Sequence, residues 1–423
     1  MVLKILKKIK LIISNILFAF RSLFWKKDKS VVLLGAWFGE KFADNTRYLF
    51  QYLDAHKEEL KLTRVIWVTR KQEVCELLRE LKYEAYMIGT PESTAAHKLA
   101  GYHIVCNAPT DGPFFKGEIE GKLSYRATRI NLWHGVGGIK GAGYSSLEYK
   151  HKRAQHPIVC GIKETLITNS ALYRRFITYP GGWGDCYYLS TTAEETKIMQ
   201  QFSLFPKRHF IESCYPRVLK CEKYLPNEER ILNEMRRHSN TILYLPTFRG
   251  ENCRYDFQSV AESMKDFLME KDILWIEKAH SAAMQDIRTE TCKNNILRLT
   301  SDFDINVLMP EISVLITDYS SAKADAQFFY KPIIFYVPDY EEYCSGDRGF
   351  MLDPQKVLCG PKIKNTDTLK KYLDDNLDQL STLVDDKYLA VREECWNEEG
   401  NSMRKVWESI VRATDNRNVS CER

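Results

Sequence analysis

From Val31 onward the chain repeats one pattern: a short apolar run, a turn, then a polar-apolar stretch with helical spacing. In the first half, residues 31–34, 64–68, 85–88, 103–107, 129–133, 165–168 and 187–190 read as strands. Residues 45–60 and 71–81, lying between strands, read as amphipathic helices. The second half continues in the same style, with strands expected at 241–245, 273–277, 296–299, 314–317 and 333–337. Strands alternating with helices predict right-handed βαβ units and parallel sheets. No repeat of fixed period and no low-complexity tract interrupts the series.

The polar stretch 220–237, which contains Pro226, is the expected crossing between two units, and a charged helical tail over 369–412 follows the last strand. The pattern therefore predicts an α/β protein with two Rossmann-like domains, 31–220 and 221–423, facing a central cleft. In sheets of this kind, ligands bind outside the carboxyl ends of the strands.

Residues 1–30 do not follow the pattern. The longest uncharged run, 11–20, is ten residues, against about 20 needed to span hydrocarbon. The sequence Arg21-Ser22-Leu23-Phe24-Trp25 offers no small-residue cleavage site. What remains is a basic amphipathic helix with Phe18, Phe20, Phe24 and Trp25 toward one end. It suits the headgroup region of an anionic membrane, and the competing reading is an ordinary helix packed on the protein.

Composition narrows the classes. The chain has 423 residues with 44% apolar and 12% aromatic side chains, which excludes a disordered chain and allows two domains with real cores. The overall charge is +5, but residues 1–30 hold eight Lys or Arg and one acid, so the excess sits on that segment and the remainder is slightly acidic. Nucleic acid is not an expected partner, because a duplex-binding protein spreads its basic face over the folded body. Of the twelve cysteines the closest pair, Cys214 and Cys221, lie seven apart, so neither a zinc nor a redox motif is present. Cysteines within apolar runs, such as Cys106 and Cys160, read as reduced core residues of a protein facing the cytoplasm.

Four segments carry candidate chemistry. The first is strand, turn and helix: Thr317-Asp318-Tyr319-Ser320-Ser321 follows the strand 314–317 and leads toward Lys331-Pro332 and the next strand. Asp318, Ser320 and Ser321 all favour helix N-caps, and a helix start offers free N–H groups to a diphosphate. Capping alone explains the same residues equally well. The second is Trp133-His134-Gly135-Val136-Gly137-Gly138, a histidine at a strand end before a glycine-rich turn. With an ordinary pKa near about 6.5, His134 suits proton abstraction from a hydroxyl, with a buried structural histidine as the alternative. The glycines do not form a dinucleotide fingerprint, since Lys140 stands where the third should be.

The third is Glu277-Lys278-Ala279-His280 and the fourth Leu245-Pro246-Thr247-Phe248-Arg249, each just past a strand. Arg suits bidentate phosphate contact, although a cation beyond a strand is commonly a solvated loop charge. Together Arg249, Lys278, His280 and the Asp318 turn are expected at one edge of one sheet.

These stretches resemble the bacterial CDP-glycerol glycerophosphotransferases, which build teichoic acid and related phosphodiester polymers. The resemblance covers nearly everything after residue 30. It also includes residues 44–50, Tyr215-Pro216-Arg217, Asp325, residues 331–336, Asp347-Arg348-Gly349-Phe350 and Gly360-Pro361. It implies a GT-B fold, peripheral attachment to the cytoplasmic face of the bacterial membrane, and no cofactor. The implied reaction moves glycerol phosphate from CDP-glycerol to a hydroxyl of a lipid-linked, polyol-phosphate or saccharide acceptor and releases CMP. By the same resemblance His134 is the base and His280 a second catalytic group on the donor phosphates. Donor contacts are implied for Thr247, Arg249, Lys278, Asp318, Ser320, Ser321 and Arg348.

Gly135 and Lys140 fall on the implied acceptor side. Two departures stand out: Val136-Gly137-Gly138-Ile139 precedes Lys140 where the family usually has Thr-Pro-Leu-Lys, and Ser281 replaces the usual Pro after the second histidine. No metal-ligand cluster is visible in the sequence, so cations and helix dipoles are expected to neutralise the donor phosphates. CDP-ribitol transfer and a GT-B sugar-nucleotide glycosyltransferase are the alternative enzymes. Polymerising members often carry a further N-terminal domain, and 423 residues leave no room for one, which tilts the expectation toward single-addition or alternating chemistry.

Overall fold

The computed structural model describes residues 2–111, 116–138, 141, 143–247, 259–278, 290–345, 350–397 and 401–420. The expected positions Lys140, Arg249, His280 and Arg348 lie outside the described residues. The chain forms two compact units. One comprises residues 1–134, 152–223 and 397–423, and the other comprises 135–151 and 224–396.

The first unit is built on a seven-stranded sheet. Its strands are β1 (Asp28–Leu34), β2 (Arg64–Thr69), β3 (Glu84–Met87), β4 (Ala100–Val105), β5 (Thr128–Asn131), β6 (Tyr187–Ser190) and β7 (Phe210–Glu212). Their order is β3-β2-β1-β4-β5-β6-β7 and every pairing is parallel. Val31–Leu34 and Val65–Val68 are buried throughout, as expected of parallel strands covered on both faces. The helix Met403–Ser420 belongs to this unit, with Trp407 edge-on to Tyr102 at 5.2 Å and Asp415 paired to Lys29 at 2.7 Å.

The second unit carries β8 (Asn240–Leu245), β9 (Ile273–Lys278), β10 (Thr291–Lys293), β11 (Ile296–Leu299), β12 (Val314–Thr317), β13 (Ile333–Tyr336) and β14 (Lys362–Ile363). The order is β10-β11-β9-β8-β12-β13-β14, and only β10 runs antiparallel. The core on one side joins Ile242, Tyr244, Trp275, Ile316 and Ile334 to Leu369 and Leu373 of the helix Thr366–Asn376. Strand order reverses between β1 and β4 in one sheet and between β8 and β12 in the other. Those two points are where ligands reach a doubly wound sheet.

Three differences from the sequence reading have physical causes. Residues 165–168, expected as a strand, lie inside the helix Pro157–Asn169. β-branched Thr165, Ile167 and Thr168 favour a strand locally, but Pro157 fits the first helical turn and Ile158, Ile162 and Leu166 recur every fourth residue. The strands β7, β10 and β14 are two or three residues long, too short for alternation to register. The N-terminal helix ends at Ser22, short of the end of the expected segment 1–30, and β1 begins at Asp28, ahead of the expected residue 31.

Candidate active site

In the first unit His134 follows β5 in a loop whose backbone is held from several sides. Asn131 Oδ1 accepts from the Trp133 N–H at 2.9 Å, and Asn45 Nδ2 donates to the Trp133 carbonyl at 2.8 Å. Arg217 Nη1 donates to the His134 carbonyl at 2.8 Å and to Asp44 Oδ1 at 2.8 Å. Trp37 Nε1 donates to Asp44 Oδ2 at 2.9 Å, and Asn45 Oδ1 accepts from the Arg217 N–H at 3.1 Å. Asp44 and Arg217 are both buried. Trp37, Phe38, Asp44 and Trp133 all have left-handed backbone, with φ of 40°, 63°, 64° and 59°. Such strain in bulky residues persists only where its surroundings over-determine it, and it concentrates at functional sites.

The His134 ring lies 5.2 Å from Trp37 and 4.7 Å from Trp133 between centroids. Its Nδ1 is 3.2 Å from the Cys106 carbonyl. A carbonyl can only accept, so Nδ1 carries the proton and Nε2 presents the lone pair. Burial holds the imidazole below its ordinary pKa, with the Asp44 charge pulling the other way. The imidazole is therefore neutral at neutral pH. Cys106 is itself anchored by the buried Glu118, whose Oε2 accepts from the Cys106 N–H at 2.8 Å. Burial pushes the Glu118 carboxyl up to about 8, against the hydrogen bonds of three backbone N–H groups.

In the second unit the reversal point is bridged by one carboxylate. Asp318, just past β12, accepts from the Thr247 N–H at 2.9 Å and the Thr247 hydroxyl at 2.6 Å, just past β8. Beside it, the Thr317 hydroxyl donates to the Leu245 carbonyl at 2.7 Å. Asp318 was expected as a helix cap, and its side chain instead ties two strand ends together. Ser321 is the N-cap residue of the helix Ala322–Phe328 and makes no side-chain capping bond, while the Ser320 Oγ accepts from the Ala322 N–H at 3.3 Å. Tyr319 stacks on Tyr343 at 3.9 Å and its hydroxyl donates to Asp339 Oδ1 at 3.3 Å.

Lys278 ends β9, and its ammonium donates to the Phe303 carbonyl at 2.5 Å. Thr247, Lys278 and Asp318 thus share one sheet edge, because β9, β8 and β12 are adjacent and parallel. Gly135 is half-buried at the start of the glycine-rich loop.

The sequence reading noted Asp44 and Arg217 only within matching stretches and assigned them no part. Glu118 was missed outright, since Gly117-Glu118-Ile119-Glu120 carries no pattern to separate a buried carboxylate from a solvated one. For Arg217, the signal available was an Arg next to Pro216 in an otherwise apolar stretch.

The family model for CDP-Glycerol:Poly(glycerophosphate) glycerophosphotransferase matches residues 17–412. A teichoic acid poly(glycerol phosphate) polymerase from Bacillus spizizenii is 28% identical over 91% of this chain and 93% of its own. A teichoic acid glycerol-phosphate transferase from Staphylococcus aureus is 22% identical over 95% and 98%. Among solved structures, the wall teichoic acid polymerase TagF superposes with a TM-score of 0.66 at 18% identity, covering 99% of this chain and 98% of that one. At that identity the superposition shows a shared fold.

The Asp44–Arg217 pair sets an expectation for stability. Arg217→Met should lower the unfolding free energy in urea by about 3–5 kcal/mol, because it strands a buried carboxylate. The double variant Arg217→Met/Asp44→Asn should recover part of that loss. Equal losses in the single and double variants would mean the pair does not act as a unit.

Proposed function

The chain belongs to the CDP-glycerol:poly(glycerophosphate) glycerophosphotransferase family, and from that premise we propose that it transfers glycerol phosphate from CDP-glycerol to an acceptor hydroxyl in teichoic acid synthesis. The acceptor is a lipid-linked or polymeric alcohol. Two Rossmann-like units are the pair from which a GT-B enzyme is built. The observation that carries the mechanism is His134, a neutral imidazole with Nδ1 committed to the Cys106 carbonyl.

In the proposed reaction, Nε2 of His134 takes the proton of the acceptor hydroxyl. The hydroxyl oxygen attacks the glycerol-bearing phosphorus in line, and the bond from that phosphorus to the CMP oxygen breaks. CMP leaves with the electron pair. Reactions of this kind are accelerated by positioning and by neutralising charge on the phosphoryl oxygens. Thr247, Lys278, Ser320 and Ser321 are the proposed donor contacts among the described residues, with Asp318 holding Thr247 in place. Arg249, His280 and Arg348 join them from the sequence motifs, with His280 on the donor phosphates. Gly135 and Lys140 fall to the acceptor side.

Attachment to the cytoplasmic face of the membrane belongs to the same proposal. No helix among the described residues is long and apolar enough to cross a membrane. The helix Val2–Ser22 is seated on the first unit by Asn15, whose amide donates to the Phe176 carbonyl at 2.8 Å and the Tyr179 carbonyl at 3.2 Å. It nevertheless leaves Ile9, Ile13, Ile16, Leu17 and Phe20 exposed, with Phe24 79% exposed just beyond it. Lys7, Lys8, Lys10, Arg21 and Lys26 are exposed along the same segment. A second apolar group, Ile158, Val159 and Ile162, is exposed on the helix Pro157–Asn169, which leads into the turn where Asn15 is seated. Exposed apolar and basic side chains together favour an anionic lipid surface.

Three outcomes test this reading. The full chain should release CMP from CDP-glycerol with membrane lipid as acceptor, and release from CDP-ribitol alone would move the assignment to the ribitol enzyme. His134→Ala should lose rate by about 10²- to 10⁴-fold while still binding CMP; a rate near that of the unsubstituted chain would remove His134 from the chemistry. The base must be unprotonated and its pKa is lowered, so kcat/KM should hold constant as pH falls from 7 and decline only below about 6.5. A decline centred above that value would contradict the buried, neutral imidazole.

Phe20→Glu with Phe24→Glu should abolish sedimentation with vesicles containing phosphatidylglycerol, without changing CMP release from CDP-glycerol to a soluble acceptor. Sedimentation equal to that of the unsubstituted chain would argue against the membrane surface.

A further inference from the structure

Lys323 lies in the helix Ala322–Phe328, directly after the Asp318–Ser321 turn. It is wholly buried, and its Nζ has no hydrogen-bond partner among the described residues. A methyl group on Gly137 would sit 3.2 Å from that Nζ and 3.1 Å from Cys395 Sγ, so the ammonium abuts the glycine-rich loop that follows His134. Gly137 has a φ of 71° and no side chain, and Gly135 and Gly138 on either side of it are partly exposed. At this point the loop places the backbone of Gly137 against the ammonium.

Among the described residues no carboxylate is hydrogen-bonded to it. Cys359 feels the Lys323 charge, yet burial pushes its thiol up, so it is not an anion at neutral pH. Gln327, one turn further along the helix, donates from Nε2 to Cys359 Sγ at 3.3 Å, and its own Oε1 is buried without a partner. Arg392 donates to the Gln327 carbonyl at 2.9 Å and adds a second cation rather than an acid. Asp325 is two positions on, and residues spaced so do not face each other on a helix. Both oxygens of Asp318 are engaged by Thr247. An ammonium kept from water without a partner is strongly unfavourable unless something anionic offsets it.

We propose that Lys323 is a phosphate-recognition residue, whose ammonium beneath the Gly135–Gly138 loop supplies positive charge to an oxyanion of the donor diphosphate. The inference rests on the transferase reading and adds to it a residue that no motif marks. In a low-dielectric interior the charge acts over several ångströms, and it stands between the two loops that the reading already involves, the Ser320–Ser321 turn and the glycine loop. The site accounts for a buried ammonium that has no hydrogen-bond partner among the described residues and that packing alone does not require, since a Met of similar length would fill the same space.

The test is calorimetric titration of the full chain with inorganic pyrophosphate, CDP-glycerol and cytidine, for the unsubstituted protein, Lys323→Met and Lys323→Gln, with Tm measured for each. Both variants should keep or raise Tm, because a buried unpaired charge is removed. Their affinities for pyrophosphate and CDP-glycerol should fall by about tenfold or more, the effect of losing a unit charge that acts through a low-dielectric interior, while cytidine binding is unchanged. Pyrophosphate affinity equal to that of the unsubstituted protein would overturn the inference, as would loss of the cooperative unfolding transition in both variants, which would make Lys323 a structural residue. Should the unsubstituted chain bind pyrophosphate but not CDP-glycerol, with pyrophosphate lost in the variants, the Lys323 site stands and the donor reading fails. Binding of neither ligand would end both.

Discussion

A parallel sheet covered by helices on both faces can present polar chemistry only at its strand ends, and each unit of this protein fixes those ends with one buried carboxylate. Asp44 takes hydrogen bonds from Arg217, Trp37 and the Asn45 N–H, and Arg217 in turn holds the His134 carbonyl. Asp318 takes two from Thr247 across the β8–β12 reversal. In both cases the acid faces neighbouring protein donors, so its first effect is geometric. Buried ion pairs add little net stability relative to well-packed apolar groups, but they allow few alternative arrangements. That restriction is what phosphoryl transfer needs, because its rate depends on placement more than on covalent intermediates.

The same constraint explains the state of His134. Between two indole rings and under a fixed carbonyl, the imidazole loses hydration and with it the tendency to be protonated. Asp44 opposes this, but its charge is already shared with Arg217 and Trp37. An imidazole of lowered pKa is neutral at neutral pH, and the Cys106 carbonyl decides which nitrogen offers the lone pair. Glu118 extends the chain of support by fixing the Cys106 N–H from the other side.

The repeating strands were readable because parallel strands buried on two faces are runs of Val, Ile and Leu, and β6, β11 and β12 fall on the expected residues. The helix Pro157–Asn169 was misread because its exposed apolar residues satisfy no core, so local β-branched composition outweighed a spacing of four. His134, Thr247, Lys278, Asp318 and Ser320 stood out in the sequence because each ends or follows a strand. Their hydrogen-bond partners did not stand out, since nothing at Arg217 or Thr247 announces a contact with Asp44 or Asp318 far away in the chain. Lys323 was equally silent: a lysine within a short helix is normally solvated, and only its burial sets it apart.

Taken together, the charges divide by how far they are from water. The basic side chains of the N-terminal segment are exposed, where ionic attraction is weak per residue and screened by salt. Those near the strand ends are buried or committed to specific carbonyls, as Arg217 and Lys278 are. The first kind can hold a protein against a surface without specifying an orientation at atomic scale. The second kind fixes the strand-end loops in one geometry, because a desolvated cation gains most from a partner that reaches it in one arrangement. A net charge of +5 therefore says little by itself about what the protein recognises. The proposed transfer from a water-soluble nucleotide donor to an acceptor at a lipid surface would use both kinds at once. The exposed set and the buried set occupy different segments of the chain, so the proposed membrane contact and the proposed donor recognition can be varied independently by substitution.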